Sequence, residues 1–241
     1  LLGGLACLTA CRHAPSAGSV ECIRYGHLTL SAETLPIWSD TCLQKSRVFE
    51  HWAVSLILKR DQILEVPEWV SGHRLVLTAA CETFSPELLI IETPPSDSLF
   101  YPGDSMAREA WQGALRSWLL EELLPMLSTY PSLKQVAWGE GFVRLPLPES
   151  FWKDLVCTIR QAAPYLQWGL IGAVPTSLNE WDFVGHFVQT ETPPESTTLQ
   201  PLRKPTFYFI SGQAPIPRHF PDAGVVGCVL YSEDHLPVIC R

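Results

Sequence analysis

The chain has 241 residues, which is enough for one sizeable core and suits one barrel-sized domain better than two. Hydrophobic residues make up 46% and charged residues only 17%, a composition that excludes an intrinsically disordered chain. The formal net charge is −8 and no run of Lys or Arg occurs, so we expect no nucleic-acid partner.

The N-terminal segment, residues 1–11, is short and apolar and ends in small residues before a cysteine. This pattern is typical of the end of a secretory signal. Residues 8–11 (LTAC) resemble the bacterial lipobox, in which the cysteine becomes lipidated. We predict a signal remnant, lipobox and tether over residues 1–19, with lipidation at Cys11, and one folded domain over residues 20–241. A chance apolar terminus of a fragment is the alternative.

The first hundred residues contain three strand-like segments, namely Trp52–Leu58, Arg74–Ala80 and Leu88–Glu92. The connection between the last two is too short for a helical crossover. We therefore expect some early units to be shortened or replaced by a hairpin.

The second half alternates between helix-like and strand-like patterns. Met106–Tyr130 is the strongest predicted helix, and Pro125 should kink or end it. A second helix is predicted over Glu149–Arg160, because Phe151, Leu155 and Ile159 share one face. Such alternation predicts a parallel sheet with helical crossovers. The predicted strands are Lys134–Trp138, Gln167–Val174, Trp181–Val188, Thr206–Ile210 and Val225–Tyr231.

The cysteines indicate no metal site, because the sequence has no CxxC motif or His/Cys cluster at metal spacing. We expect no cofactor. Apolar surroundings predict buried thiols at Cys81, Cys157 and Cys228. A disulfide could form among Cys22, Cys42 and Cys240.

From about Trp111 onward, a series of weak motifs follows in a recognisable order. A helix with Trp111 and Trp118 precedes a strand ending in Trp138-Gly139-Glu140, and Phe151-Trp152 begins the next helix. The strand-like runs 169–174, 181–185, 204–212 and 227–231 follow. This order resembles the retaining (β/α)₈-barrel glycoside hydrolases, nearest to the branch related to β-mannanases. The resemblance implies an α/β TIM-barrel-like fold, irregular or incomplete in its N-terminal half.

The resemblance also implies where two catalytic carboxyl groups should lie. Retention requires an acid/base and a nucleophile about 5–5.5 Å apart. Glu140 matches the acid/base position after the fourth strand, but Ile210 stands at the nucleophile position at the end of the seventh. No Asp or Glu occurs from Ser196 to Pro221, so a shifted alignment supplies no replacement. The resemblance therefore predicts a catalytically degenerate site with Glu140 as a vestigial acid/base.

Other acidic residues could supply a relocated second carboxylate. Glu82, Glu92, Glu233 and Asp234 follow strand-like runs, whereas Asp182 begins a strand and should lie at the opposite end. An inverting pair tolerates roughly 6.5–9.5 Å, so an active glycosidase using Glu140 stays the alternative. If the barrel binds a glycan, Trp138, Glu92 and Tyr231 are the possible lining residues.

These patterns predict a non-catalytic envelope lipoprotein that is a subunit of a protein assembly or a glycan-binding module. The expected location is the bacterial cell envelope, with lipid anchoring in the outer membrane on its periplasmic or surface face. The expected partners are envelope or outer-membrane proteins, with polysaccharide as a further possibility. The nine Trp residues leave two alternatives, because Trp rings stack on sugars but are also common in protein cores. A third hypothesis is a small lipoprotein with a different α/β fold.

Overall fold

The structure, a computed structural model, describes residues 20–21, 23–30, 49–58, 77–93, 101–172, 181–188, 204–211, 219–220 and 225–231. The predicted signal remnant and the lipidation position Cys11 lie outside these residues. Within them, no helix has both the length and the apolar character that a membrane crossing requires.

Eight parallel strands close into a barrel, which confirms the predicted TIM-barrel-like α/β fold. The order around the barrel is β10-β2-β3-β4-β5-β6-β7-β8. A two-residue antiparallel ribbon of β1 and β9 stands apart from the barrel. The strands are β1 (Val20–Glu21), β2 (Ile23–Leu30), β3 (His51–Ile57), β4 (Leu88–Glu92), β5 (Gln135–Trp138), β6 (Gln167–Ile171), β7 (Phe183–Val188), β8 (Thr206–Ser211), β9 (His219–Phe220) and β10 (Val225–Tyr231).

The N-terminal half differs from the prediction in several respects, and the unpredicted strand β2 is one of them. Residues 77–84 form a helix, α1, where a strand was expected over Arg74–Ala80. A short apolar run has no periodicity that separates a strand from a buried helix, which explains the error. β3 and β4 pair in parallel, with α1 in the connection between them. The hairpin expectation is therefore wrong, and β2, β3 and β4 are parallel strands of the closed barrel.

The remaining helices include the two that were predicted, over Met106–Tyr130 and Glu149–Arg160, and one short helix after β5 that was not. They are α2 (Ser105–Ser117), a π-helical segment (Trp118–Leu123), α3 (Leu124–Leu127), α4 (Glu140–Val143) and α5 (Glu149–Ala162). The π-helical segment ends at Leu123, two residues before Pro125. Proline has no N–H, so Pro125 cannot donate a hydrogen bond to the preceding turn. The N–H of Leu124 instead bonds the carbonyl of Leu119, five residues back. The helix thus passes the proline by widening one turn rather than ending.

Alternating strand residues divide the interior into two apolar layers. The outer layer lies between the strands and the helices and contains the tryptophans of the described residues. The inner layer fills the barrel lumen, because every second side chain of a strand points to the same face. Glycines make room in it for rings: a Cβ on Gly169 would lie 2.3 Å from the ring of Phe183. The lumen cluster comprises Tyr25, Ala53, Leu88, Ile90, Ala137, Ile171, Phe183, Phe207, Phe209 and Val229.

Candidate functional site

Two glutamates lie at the carboxyl ends of neighbouring barrel strands. Glu92 is the last residue of β4 and continues the lumen-facing series of Leu88 and Ile90. Glu140 is the first residue of α4, two positions after β5 ends at Trp138. The predicted acid/base candidate and one predicted lining residue therefore share one sector of the rim.

Glycines surround this pair because side chains occupy the space that a Cβ would need. A Cβ on Gly139 would lie 1.9 Å from the carboxyl carbon of Glu92, and one on Gly141 would lie 1.9 Å from Oγ1 of Thr93. Gly139 and Gly141 flank Glu140, a sequence pattern that suggests a tight backbone turn around it. Gly139 has an ordinary φ of −71°, so the reason for this glycine is lack of space and not an unusual conformation.

The side chain of Glu140 reaches toward the end of β6. A Cβ on Gly172 would lie 2.9 Å from Cγ of Glu140. Gly172 also has a φ of +109°, a backbone conformation that residues other than glycine rarely adopt. The carboxylate of Glu140 pairs with Arg144, one helical turn along and largely exposed. Glu140 is thus a partly exposed rim residue with a cationic partner.

Glu92 has a strongly perturbed acidity. Burial is the main cause that raises the pKa of its carboxyl group from the ordinary 4.5 to about 7, and the nearby charge of Glu140 contributes to this rise. Backbone N–H groups of Gly141 and Glu140 donate hydrogen bonds to the carboxylate and lower the pKa, but burial outweighs them. Near neutral pH, the protonated and charged forms of Glu92 are therefore both populated.

β8 presents aromatic rings to the lumen where a second catalytic carboxylate was sought. Phe207 and Phe209 belong to the lumen cluster, whereas Ile210 is buried on the opposite face of the strand. The alternation of β8 therefore places Ile210 outside the lumen-facing series of Phe207 and Phe209. No carboxylate occurs on either face of this strand.

Trp138 cannot line a glycan cleft, because it is completely buried in the outer layer. Its ring packs on those of Phe142, Trp152 and Trp168, at centroid distances of 4.9–5.9 Å. Seven of the nine tryptophans lie in described residues, and all seven are buried. The core interpretation therefore holds for this part of the chain. Trp38 and Trp69 lie outside it.

The other acidic candidates are dispersed. Glu82 lies on α1 and is exposed. Asp182 accepts hydrogen bonds from the backbone N–H of Trp168 and from Arg160, both at 2.9 Å, which fits the predicted structural role before β7. Glu233 and Asp234 lie outside the described residues. The backbone of Tyr231 ends β10 beside Ser211.

Sequence reasoning missed one polar pair inside the barrel. Nε2 of His27 on β2 and Oγ of Ser55 on β3 lie 2.8 Å apart, and both residues belong to lumen-facing series. The only sequence signal is the alternation of residues 23–30, in which polar residues and Gly26 interrupt the apolar positions. This strand was not predicted at all.

The cysteines agree with the prediction in part. Cys81 is a buried free thiol, but Cys157 is free and exposed on α5. Cys228 is buried and disulfide-bonded, so it is not the free thiol expected from its apolar surroundings. In the part of the chain that the structure describes, no group of His, Cys, Asp and Glu side chains could hold a metal ion.

A scan against protein-family models and a search of curated proteins each found no match. Among solved structures, the chain is similar to alpha-L-fucosidase isoenzyme 1 from Paenibacillus thiaminolyticus, with a TM-score of 0.49 and 10% identity over 88% of this chain and 68% of that one. It is also similar to the spore cortex-lytic enzyme SleL of Bacillus megaterium, with a TM-score of 0.43 and 11% identity over 86% of this chain and 56% of that one.

Proposed function

We propose that this chain is a non-catalytic, glycoside hydrolase-like barrel protein of the bacterial envelope that acts as a subunit of a protein assembly. The observation that carries the proposal is the arrangement of acidic groups at the rim. Glu92 and Glu140 follow adjacent strands, whereas β8 contributes Phe207 and Phe209 to the lumen.

Displacement at a sugar carbon needs one carboxyl group on each side of the glycosidic bond. Glu92 accepts hydrogen bonds from the backbone N–H groups of Glu140 and Gly141, so the first turn of α4 joins the two glutamates. Both carboxyl groups also have other contacts, Glu92 against Gly139 and Glu140 with Arg144. This arrangement fits a structural role for the pair better than an open site between them.

Two observations support an envelope location. Residues 8–11 match the lipobox pattern, with Cys11 as the lipidated residue. Cys228 is disulfide-bonded, and such bonds persist mainly in exported proteins. An outer-membrane lipid anchor is therefore part of the proposal.

A protein partner is favoured over a polysaccharide, because a sugar groove usually offers aromatic side chains for stacking. All tryptophans of the described residues are buried, Trp138 and Trp168 among them. The glycan-binding module is kept as the second form of the non-catalytic proposal.

The deciding experiment is purification of the tagged lipoprotein from its native envelope, with identification of co-purifying proteins. We expect a stoichiometric complex with envelope proteins. A matched preparation of the Cys11→Ser variant should lose envelope attachment. Recovery of the wild-type protein alone, with hydrolysis of mannan or a related polymer, would overturn the proposal.

One observation favours an active glycosidase as the second candidate. The pKa of Glu92 of about 7 would let this carboxyl group exchange a proton near neutral pH beside Glu140, and a raised pKa of one carboxyl group is common in catalytic pairs. Replacement of Glu140 by Gln separates the candidates. We expect no change in any hydrolytic activity of the preparation, with the exposed Glu149→Gln variant as the matched control. A large loss with Glu140→Gln alone would establish the second candidate.

A further inference from the structure

We propose that the N-terminal end of the barrel, where its strands begin, faces the lipid surface to which Cys11 is anchored. The C-terminal rim with Glu92 and Glu140 then faces away from that surface. This inference rests on the lipid anchor of the proposed function. It adds which end of the barrel lies toward the membrane and which end is left accessible to a partner in the envelope.

The antiparallel ribbon of β1 and β9 places the start of the folded domain at the N-terminal end of the barrel. The two residues of β1 pair with the two residues of β9. β1 ends one residue before β2 begins, and β9 lies shortly before β10, the neighbour of β2 in the barrel. The chain therefore enters the barrel at the end opposite to the rim that carries Glu92 and Glu140.

The covalent length of the chain between Cys11 and this ribbon limits the orientation of the barrel. Only the tether, residues 12–19, separates Cys11 from Val20. Whatever conformation the tether adopts, a chain of this length spans at most roughly 30 Å. β2 has eight residues, which with the tilt of a barrel strand cover about 21 Å of the barrel height. An inverted barrel would need most of the reach of the tether to pass the strands, and such extension costs conformational entropy.

Exposed side chains at the N-terminal end suit contact with a lipid surface. Ile23 begins β2 and is 44% exposed, and Tyr165 lies two residues before β6 and is 55% exposed. β2 and β6 are on opposite sides of the barrel, so one flat surface can contact both side chains. Tyrosine is common at membrane surfaces, because its ring is apolar and its hydroxyl is polar. Of the large hydrophobic side chains that are exposed in the described residues, only Met106 on α2 lies elsewhere.

Charge does not set this orientation. The exposed Arg24 and Lys134 lie at the N-terminal end together with the exposed Glu50 and the pair of His51 and Glu87. Among the described residues of this end, cations and anions are thus mixed, without the excess of cations that attracts anionic lipids. The tether is therefore the cause of the orientation, and the orientation should not change with salt concentration.

Energy transfer from labels on α5 to acceptor lipids tests the orientation in the lipidated full chain. α5 runs from the C-terminal rim back to the N-terminal end, because it follows α4 and precedes β6. Ser150 and Ala162, both exposed, lie near its two ends. A donor dye is attached at one of them through a genetically encoded azido residue. The vesicles contain phosphatidylethanolamine, phosphatidylglycerol and a headgroup-labelled acceptor lipid. The labels differ by ~18 Å along the helix, so transfer should be about twofold or more higher at Ala162 than at Ser150.

Two variants separate the orientation from the anchor on which it rests. Cys11→Ser should not float with the vesicles and should show no transfer from either label. If the unmodified chain also failed to float, the lipid anchor would be refuted and the orientation with it. Attachment with equal transfer from both labels, or with more transfer from Ser150, would refute the orientation alone.

The second variant lengthens the tether. Insertion of about 20 Gly and Ser residues after Ser19 removes the limit on its span. The difference in transfer between the two labels should then become smaller, because the barrel can turn more freely. An unchanged difference would refute the tether as the cause of the orientation.

Discussion

The two ends of β4 each carry a glutamate, and the two glutamates have opposite surroundings. Glu87 precedes the strand at its N-terminal end, where Nδ1 of His51 lies 2.8 Å from one carboxylate oxygen and the hydroxyl of Tyr25 lies 3.5 Å from the other. Glu92 ends the strand and has a second carboxylate for a neighbour. Hydrogen-bonding groups thus surround the carboxylate of Glu87. Burial and a neighbouring negative charge, in contrast, disfavour the charged form of Glu92.

The backbone around Glu87 reinforces this contrast. Its N–H bonds the carbonyl of Trp52, and its carbonyl accepts from the N–H groups of Lys134 and Gln135. Side chain and main chain together tie β2, β3, β4 and β5 at the N-terminal end of the barrel. Hydrogen bonds therefore join the strands at the N-terminal end of the barrel. At the C-terminal rim, the face where barrel enzymes place their active sites, two carboxyl groups of like charge lie close together.

The largest expected effect is the pH dependence of stability that Glu92 contributes. Its pKa is raised from 4.5 to about 7 in the folded state, so the folded state binds the proton more tightly than the unfolded state. The free energy of unfolding should therefore fall as the pH rises from about 4.5 to 7, by about 3 kcal/mol, and stay level above pH 7. Urea unfolding of the wild type minus Glu92→Gln isolates this contribution. A difference that is constant across this range would contradict the assignment.

Gly139→Ala should disrupt the C-terminal rim next most strongly. The new Cβ would lie 1.9 Å from the carboxyl carbon of Glu92, which has to move from its half-buried position. Overpacking of this kind costs about 2 kcal/mol. The cost should largely disappear in the Glu92→Ala background, where the space is empty.

Gly113→Ala is the matched control for that substitution. Gly113 lies exposed on α2, and a Cβ there would meet nothing within 4 Å. Because alanine favours a helix over glycine, this variant should gain about 1 kcal/mol. Equal losses of stability at Gly139 and Gly113 in urea unfolding would show that lack of space at the rim is not the cause.

The sequence alone predicts much of the barrel but not the contact between Glu92 and Gly139 at its C-terminal rim. α5 was predictable because Phe151, Leu155 and Ile159 repeat at helical spacing, and all three are buried. The register of β8 was not, because the run TFYFI is apolar on both faces and no alternation shows whether Phe209 or Ile210 points inward. Contact between Glu92 and Gly139 depends on the register of β4 against β5, which no local pattern encodes.

At the N-terminal end, Glu87→Gln should have a smaller effect than either change at the rim. His51 and Glu87 are each 31% exposed, and partly exposed ion pairs contribute up to about 1 kcal/mol. Burial is the main cause that raises the pKa of Tyr25 to about 12, and the charge of Glu87 adds to it. Ultraviolet titration of the variant should therefore show a lower pKa for Tyr25 that is still above the ordinary value of 10. An unchanged Tyr25 titration would show that Glu87 does not act on it.

Glu149→Gln on α5 shows how much stability is lost when an exposed carboxylate far from β4 is removed. Glu149 is 48% exposed and pairs with Lys153 one turn along at 2.9 Å. An exposed pair of this spacing contributes about 0.3–0.5 kcal/mol, and salt screens it. Urea unfolding at pH 7 should therefore show a loss of that size at low salt and almost none at high salt. If the losses from Glu149→Gln and Glu87→Gln were equal and equally screened, Glu87 would be an ordinary surface carboxylate, and the two ends of β4 would differ only through the burial of Glu92.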